Sequence, residues 1–448
     1  MDNKTIYALS TLFGKSGIAV FRISGASAFS VFGKMTSIDM DKYEDRKMYF
    51  AELRHPVSRE TLDSVLIVGF KAPHSFTGDD TVEINCHGSK AVIRSILEAL
   101  SVLPDFRLAE AGEFSRRAFY NGKMDLTEAD GLADLIDAET KLQQKIALQQ
   151  MGGSLLNLYD NWRSQLVEIL SYIEAFIDFP EENIPQNTVF KIEKKVKDIQ
   201  LSIQKHLSDN KVEEHLRDGF RVVIAGPANA GKSSLINAIV NRNVAIVSDI
   251  AGTTRDVIDA YIDIKGVPVI LSDTAGLPEG NDKIEQIGID MAKEKINEAD
   301  FKIFIFDASN NNTTPDIFNM YMTAENNYIL VANKADKLSA KQKENLVKQN
   351  YVLISAKQND NIQAITDKLY YYFSEIFADN SSQIITRRRY KDALIECLDN
   401  LKRFNLNKDV ELAAEDIRLA CRSIGKITGR VEVDEILDKI FSSFCIGK

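Results

Sequence analysis

Residues 226–233 read Gly-Pro-Ala-Asn-Ala-Gly-Lys-Ser. The segment before them, RVVIA, is β-branched, and the segment after them, SLINAIV, spaces its apolar residues as a helix does. A GxxxxGK[ST] sequence between a strand and a helix is a phosphate loop; a chance glycine-rich turn would lack that context. Its glycines let backbone N–H groups close on phosphate oxygens at the helix N-terminus. Residues Asn229, Ala230, Gly231, Lys232, Ser233 and Ser234 would line the phosphates. Lys232 would reach the β- and γ-phosphates, and Ser233 would hold magnesium. Such a loop needs a parallel sheet with crossover helices, and residues 219–376 supply the pattern. Strands are predicted at 222–225, 267–271, 302–306, 328–332 and 351–354, with helical segments between them.

Further motifs follow in chain order. Thr253-Thr254 falls in a loop before the next strand, where a switch threonine can close on magnesium. Asp273-Thr274-Ala275-Gly276 follows a strand. Asp273 would bind magnesium through water, and the Gly276 amide would face the γ-phosphate. Asn333-Lys334-Ala335-Asp336 ends another strand. The Asp336 carboxylate can accept from guanine's ring N–H and its exocyclic amine, whereas adenine offers a lone pair there and is rejected. Ser355-Ala356-Lys357 would support the base through backbone amides. The expected ligand is GTP. Leu277 stands where Ras-like proteins carry a water-orienting glutamine, so hydrolysis needs another device. Asn229, with carbonyls near Ser248 and Ile250, could hold a monovalent cation that neutralises developing charge. Glu285 is either a surface acid or a group that orients water through a relay.

Outside this unit the pattern changes. Residues 1–118 read as mixed α/β, with strands at Gly17–Ile23, Leu62–Phe70 and Thr81–Cys86 and a helix over Ser89–Leu103. From 119 the chain turns helical. Leu155, Leu158, Trp162, Leu166, Ile169, Ile173 and Phe176 share one helix face until FPEENIP (179–185) breaks it. Helical character returns after 378. The expected organisation is 1–118, an N-terminal α/β domain; 119–215, a first helical segment; 216–378, an inserted Ras-like P-loop GTPase domain with a mostly parallel sheet; and 379–448, a second helical segment. No stretch is long and apolar enough to span a bilayer, and no leader is evident, so a cytoplasmic protein with no membrane partner is expected. Four separated cysteines give neither a disulfide framework nor a zinc pattern. The 55 Lys+Arg against 65 Asp+Glu leave a net charge of −10, which argues against a chain built to coat nucleic acid but not against a local basic patch.

Along its whole length the chain resembles the MnmE (TrmE) family of tRNA-modification GTPases. The resemblance rests on GIAVFRISG (17–25), SFTGDDTVE with HG (75–88), GEFSRRAFYNGKMDLTEADGLADLIDA (112–138), DFPEE (178–182), NAGKSSLINA (229–238), DIAGTTRD (249–256), DTAGL (273–277) and the terminal FSSFCIGK (441–448). It implies that the N-terminal domain is tetrahydrofolate-binding-like and forms a homodimer, and that potassium stimulates GTP hydrolysis. It further implies a partner, an MnmG-type FAD protein using NADH, in a heterotetramer. With it, an aminomethyl or carboxymethylaminomethyl group would be placed on carbon 5 of a tRNA wobble uridine, its methylene carbon coming from a tetrahydrofolate derivative of the 5,10-methylene or 5-formyl type. By motif, Asn229, Ser248, Ile250 and Thr253 match the potassium site. Asp249, Ala251 and Gly252 belong to the same nucleotide loop. Ser233 and Thr254 match magnesium ligands. Lys232, Thr254, Gly276 and Glu285 form the catalytic set, with Glu285 the water-orienting acid. Arg22, Glu83, Lys123 and Lys448 match the folate positions.

The chain departs from the family pattern at Pro227-Ala228-Asn229, where the proline lies one residue early, and Gly131 interrupts a predicted helix. Cys445 is open to two readings: a thiol that reacts at uridine or the folate-derived group, or a small buried residue of a docked tail. Arg387-Arg388-Arg389 is either a solvated helix face or a contact for tRNA phosphates. The competing function is a ribosome-assembly or checkpoint GTPase acting as an RNA-binding switch. The folate-type N-terminal domain and the Cys-Ile-Gly-Lys ending distinguish the two.

Overall fold

The computed structural model describes residues 3–179, 186–209, 219–242, 259–273, 294–310, 327–378, 385, 387–406, 409–431, 437, 440–442, 444 and 447. Two compact units form. One gathers Met1–Ala133, Leu156–Glu168 and Arg418–Lys448; the other gathers Asp134–Leu155 and Ile169–Ile417.

The first unit is built on strands β1 (Thr5–Leu9), β2 (Ser16–Ser24), β3 (Tyr49–Arg54), β4 (Thr61–Phe70), β5 (Thr81–Gly88) and β6 (Phe106–Leu108). They lie in the order β3-β4-β5-β2-β1-β6. All neighbours are antiparallel except β1 and β6. The three strands expected here all form. β1, β3 and β6 were not foreseen, being short or carrying polar residues at alternate positions. Helices α1 (Ser30–Met35) and α2 (Lys90–Ser101) cover one sheet face, where Phe21, Ile23, Ile67 and Ile84 meet Phe32, Ile93, Ile96 and Leu100. Ser89 starts α2 by accepting a hydrogen bond from the Val92 amide at 3.1 Å, which satisfies an otherwise orphaned donor of the first turn.

On the opposite face, Ile6 and Ala8 of β1 pack with Ala109 and with Phe114 of α3 (Glu113–Tyr120). Buried Glu113 accepts from Arg107 at 2.6 Å and Arg117 at 3.1 Å. Burial raises the pKa of its carboxyl, but these partners outweigh it and hold the group below the usual range. Helix α4 (Leu126–Ile136) carries Gly131 as a buried residue. Its Leu126 and Ala129 form a small core with Leu437, Ile440, Phe441 and Phe444 of the chain's last residues. A β-carbon on Gly112 would stand 2.3 Å from the Phe441 carbonyl oxygen, so only glycine fits there.

The second unit holds α5 (Lys141–Met151), α7 (Gln186–Asp209) and the sheet β12-β11-β10-β7-β9-β8. Its strands are β7 (Phe220–Ala225), β8 (Asp259–Ile264), β9 (Val267–Asp273), β10 (Phe301–Asp307), β11 (Tyr328–Asn333) and β12 (Val352–Leu353). Every pairing is parallel except that of the edge strand β8 with β9. Five of the six were anticipated. β8, DAYIDI, was missed because its acidic residues mask the apolar alternation. Near-continuous apolar strands such as FKIFIFD fit a sheet covered on both faces. Two separate cores flank it, one around Leu235, Ile239 and Phe373, the other around Phe304, Phe306 and Leu346. Helix α7 packs on the helix Arg388–Arg403, and the Gln200 amide donates to the Leu401 carbonyl at 2.6 Å.

Helix α6 (Ser154–Asp178) buries Leu155, Tyr159, Trp162, Leu166, Ile169 and Ile173, while Leu158 and Phe176 of the predicted stripe are only half-buried. It ends just before the FPEENIP segment, as the prolines dictate.

Candidate functional site

The phosphate loop joins β7 to the helix Lys232–Arg242. Two glycines are required by geometry. A β-carbon on Gly226 would sit 2.0 Å from the Ile305 carbonyl oxygen. Gly231 has φ +98°, and a β-carbon there would lie 2.2 Å from Asn333 Nδ2. Asn229 takes φ +63°, a left-handed conformation that asparagine tolerates better than most residues. The Lys232 ammonium is buried and donates to the carbonyls of Gly226 at 3.0 Å and Pro227 at 3.1 Å. Burial lowers its pKa, and the charge of Asp273 opposes that shift. The proline displaced by one residue thus contributes a carbonyl that holds this lysine.

Asp273 ends β9 in register with Ile224 of β7, beside the start of the loop. Ser233 Oγ donates to Asp273 Oδ2 at 3.0 Å. Asp273 Oδ1 is buried and has no hydrogen-bond partner among the described residues. A hydroxyl paired with a carboxylate that keeps one buried oxygen unsatisfied is a donor set suited to a hard divalent cation such as magnesium.

The guanine-selecting motif is bound to the phosphate loop directly. Asn333 Nδ2 donates to the Ala230 carbonyl at 2.8 Å, while its Oδ1 accepts from the amides of Lys334 at 2.8 Å and Ala356 at 3.1 Å. One buried side chain therefore fastens three loops. Lys334 donates to Asp307 Oδ2 at 2.5 Å and to the Asn229 carbonyl at 3.3 Å. Burial raises the pKa of Asp307, but the bonds from Lys334 and Ser309 prevail and hold the carboxyl low. Asp336 lies in the short turn Ala335–Lys337, and a hydrogen bond from the Ser355 side chain holds its carboxyl below the usual range. Ser355 and Ala356 are buried, and Lys357 is exposed. Asp307 went unrecognised in the sequence because nothing but a strand end marks it. Ser248, Asp249, Ile250, Ala251, Gly252, Thr253, Thr254, Thr274, Ala275, Gly276 and Glu285 lie outside the described residues.

A second cluster sits on the sheet of the other unit. Arg22 of β2 pairs in register with Glu83 of β5. Its Nε and Nη2 donate to Glu83 Oε1 at 3.0 and 2.9 Å. The guanidinium lies 5.2 Å from the Phe76 ring centre and 5.9 Å from that of Phe114, within cation–π range. Ala8 of β1 is the other register partner of Arg22. One residue further, Gly447 of the terminal motif abuts Leu9 and accepts from the Ser10 hydroxyl at 3.1 Å. Lys123 is exposed in the turn after α3, its amide donating to the Ala118 carbonyl at 2.8 Å. Cys445 and Lys448 lie outside the described residues. Cys86, Cys397 and Cys421 are buried free thiols, and burial pushes Cys86 and Cys421 up to about 11.

Of the three consecutive arginines, Arg387 pairs with Asp134 at 2.6 Å and Arg389 lies 4.6 Å from the Tyr390 ring centre. Arg388 is 82% exposed. It makes a surface ion pair with Asp392 at 3.9 Å, so the run combines two engaged side chains with one solvated one.

Phosphate loop, guanine-selecting motif and parallel sheet together define a P-loop GTPase, a GTP hydrolase. Residues 5–123 match the family described as GTP-binding protein TrmE N-terminus, and residues 126–445 match the MnmE helical domain. A relative from Rickettsia bellii named tRNA modification GTPase MnmE is 45% identical over 449 residues, covering 99% of this chain and 100% of its own length. One from Rickettsia rickettsii with the same name is 44% identical with the same coverage. The chain belongs to the MnmE (TrmE) family.

Proposed function

We propose that this GTPase works with an FAD-dependent, NADH-using MnmG-type protein to place an aminomethyl or carboxymethylaminomethyl group on carbon 5 of wobble uridine in tRNA. The observation that carries the reading is the full-length match to relatives named tRNA modification GTPase MnmE, which spans both family regions and the GTPase inserted in the second. The boundaries 1–118, 119–215, 216–378 and 379–448 describe that organisation. It acts as a cytoplasmic homodimer joined through the N-terminal domain.

Within this reading the nucleotide residues have distinct tasks. Lys232 binds the β- and γ-phosphates. Ser233 and Thr254 hold magnesium, with Asp273 acting through water; the ion neutralises phosphate charge. Gly276 offers its amide to the γ-phosphate, and Asp336 reads guanine. Because Leu277 cannot orient water, Asn229 with Ser248, Ile250 and Thr253 holds potassium, and Glu285 directs the attacking water. Exchanging potassium for sodium is expected to slow GTP hydrolysis about 10- to 100-fold, as loss of a charge-stabilising group does. Equal turnover in the two salts would remove the cation from the account.

A tetrahydrofolate derivative is the carbon donor. Arg22, Glu83, Lys123 and Lys448 hold it. A carboxylate suits the amide and amine edge of a pterin, an aromatic wall suits its face, and Arg or Lys suits the glutamyl tail. The neighbourhood of Arg22, Glu83, Phe76, Phe114 and Gly447 supports this. Cys445, in the same terminal motif, is assigned the contact with the transferred group. Deleting the protein from cells is expected to leave wobble uridines without these side chains when tRNA nucleosides are analysed by mass spectrometry. A full complement of them would favour the RNA-binding switch instead.

A further inference from the structure

The hairpin β8–β9 occupies a special place in the chain. It begins five residues after Thr254 and ends on Asp273, so it links the two nucleotide-sensing sequences. Its strands are locked through consecutive pairs from Asp259–Ser272 to Ile264–Val267. Among the described residues β8 pairs with β9 alone, so a shift at either end is carried to the tip.

The tip is gripped by the N-terminus of α5. The Leu142 amide donates to the Gly266 carbonyl at 3.1 Å. The Leu142 side chain packs against the core around Leu235 and Phe373. Gly266 has φ +95°, and a β-carbon there would touch Lys141. Gln143 does two jobs with one side chain. Its Oε1 accepts from the amides of Glu139 and Thr140 at 3.0 Å each, completing a capping box with Thr140. Its Nε2 donates to the Tyr261 hydroxyl of β8 at 3.1 Å. The amide that fixes the start of the helix is therefore also hydrogen-bonded to the strand that follows Thr254. On its other side the tip is held by Lys265, which pairs with Asp367 at 2.8 Å and lies 5.0 Å from the Tyr370 ring centre.

We propose that Gln143 and Tyr261 are positioning residues that pass the nucleotide state of the GTPase to helix α5 through the β8–β9 hairpin. This rests on the GTPase reading and adds the route by which hydrolysis reaches the helical part of the chain. Both residues lie in the helix cap and the hairpin rather than in the phosphate loop or the base-binding motifs, so their effect is on coupling rather than on the chemical step. Tyr261→Phe removes the hydroxyl and keeps the ring. Gln143→Glu keeps the cap, because a glutamate at that position accepts from the same amides. Its carboxylate can also accept from the Tyr261 hydroxyl, so it is the conservative rescue.

The test is hydrogen exchange over residues 139–146 in the full chain, loaded with GDP or with GDP and aluminium fluoride. GTP turnover is measured on the same samples. In the unaltered protein, protection of these amides is expected to differ between the two states. Tyr261→Phe should shrink that difference about fivefold, as expected for one neutral hydrogen bond, with turnover held within about twofold. Gln143→Glu should retain the difference. Identical protection in both states, or an undiminished difference in Tyr261→Phe, would overturn the proposal. Absent turnover in the unaltered protein would instead strike at the GTPase reading.

Discussion

Asp336→Asn is expected to weaken GTP binding by about 100-fold, the scale for removing one partner of a charge-assisted hydrogen-bonded pair. The carboxyl titrates low because the Ser355 side chain donates to it, so at neutral pH it is an anion with acceptors on both oxygens. Guanine presents two donors to it. Asparagine answers with one acceptor and one amine, and the amine confronts a donor. Xanthine carries a carbonyl in place of the exocyclic amine, so the variant should gain affinity for xanthine nucleotides while losing it for GTP. The surrounding turn is anchored independently, with the Ala335 amide donating to the Ile354 carbonyl at 2.9 Å. Fold stability should therefore change little. Titration of both nucleotides against the variant checks this, and unchanged GTP affinity would reject the role of Asp336.

Lys232→Ala is expected to cut GTP hydrolysis about 100- to 1,000-fold, the cost of losing one preorganised donor at a site of developing charge. The lysine lies buried at the centre of the phosphate loop, held by the carbonyls of Gly226 and Pro227. Phosphate oxygens would be far stronger acceptors for the same ammonium. Truncation removes the charge without opening the cores on either side of the sheet. The thermal midpoint should move by a few degrees at most, and near-normal hydrolysis would contradict the assignment. Asn333 offers an instructive contrast. It is buried and fastens the phosphate loop to both base-binding loops, so its truncation would disturb geometry as well as binding.

The GTPase unit was legible because its signals are local. A phosphate loop is eight consecutive residues, and parallel strands announce themselves as short apolar runs. The guanine motif could be read for the same reason, each part lying at a strand end. What escaped the sequence is non-local. Lys334 follows one strand and Asp307 ends another, and Gln143 meets Tyr261 across 118 positions. No periodicity links such residues. β8 was missed because Asp259 and Asp263 interrupt its apolar pattern. Arg22 and Glu83 would have passed as ordinary strand charges had family resemblance not singled them out. The structure places them in register on adjacent strands. The basic run at 387–389 looked like one feature but separates into three environments. Asp134 claims the first side chain, the second lies in solvent beside Asp392, and Tyr390 claims the third.

The central claim is that GTP turnover at Lys232 drives modification of tRNA by this chain. Mass spectrometry of wobble nucleosides from cells whose only copy carries Lys232→Ala tests it most directly. The variant must be present at normal abundance. The account predicts that the carbon 5 side chains are lost as completely as when the protein is deleted. Wobble uridines modified to the normal level in that strain would contradict it.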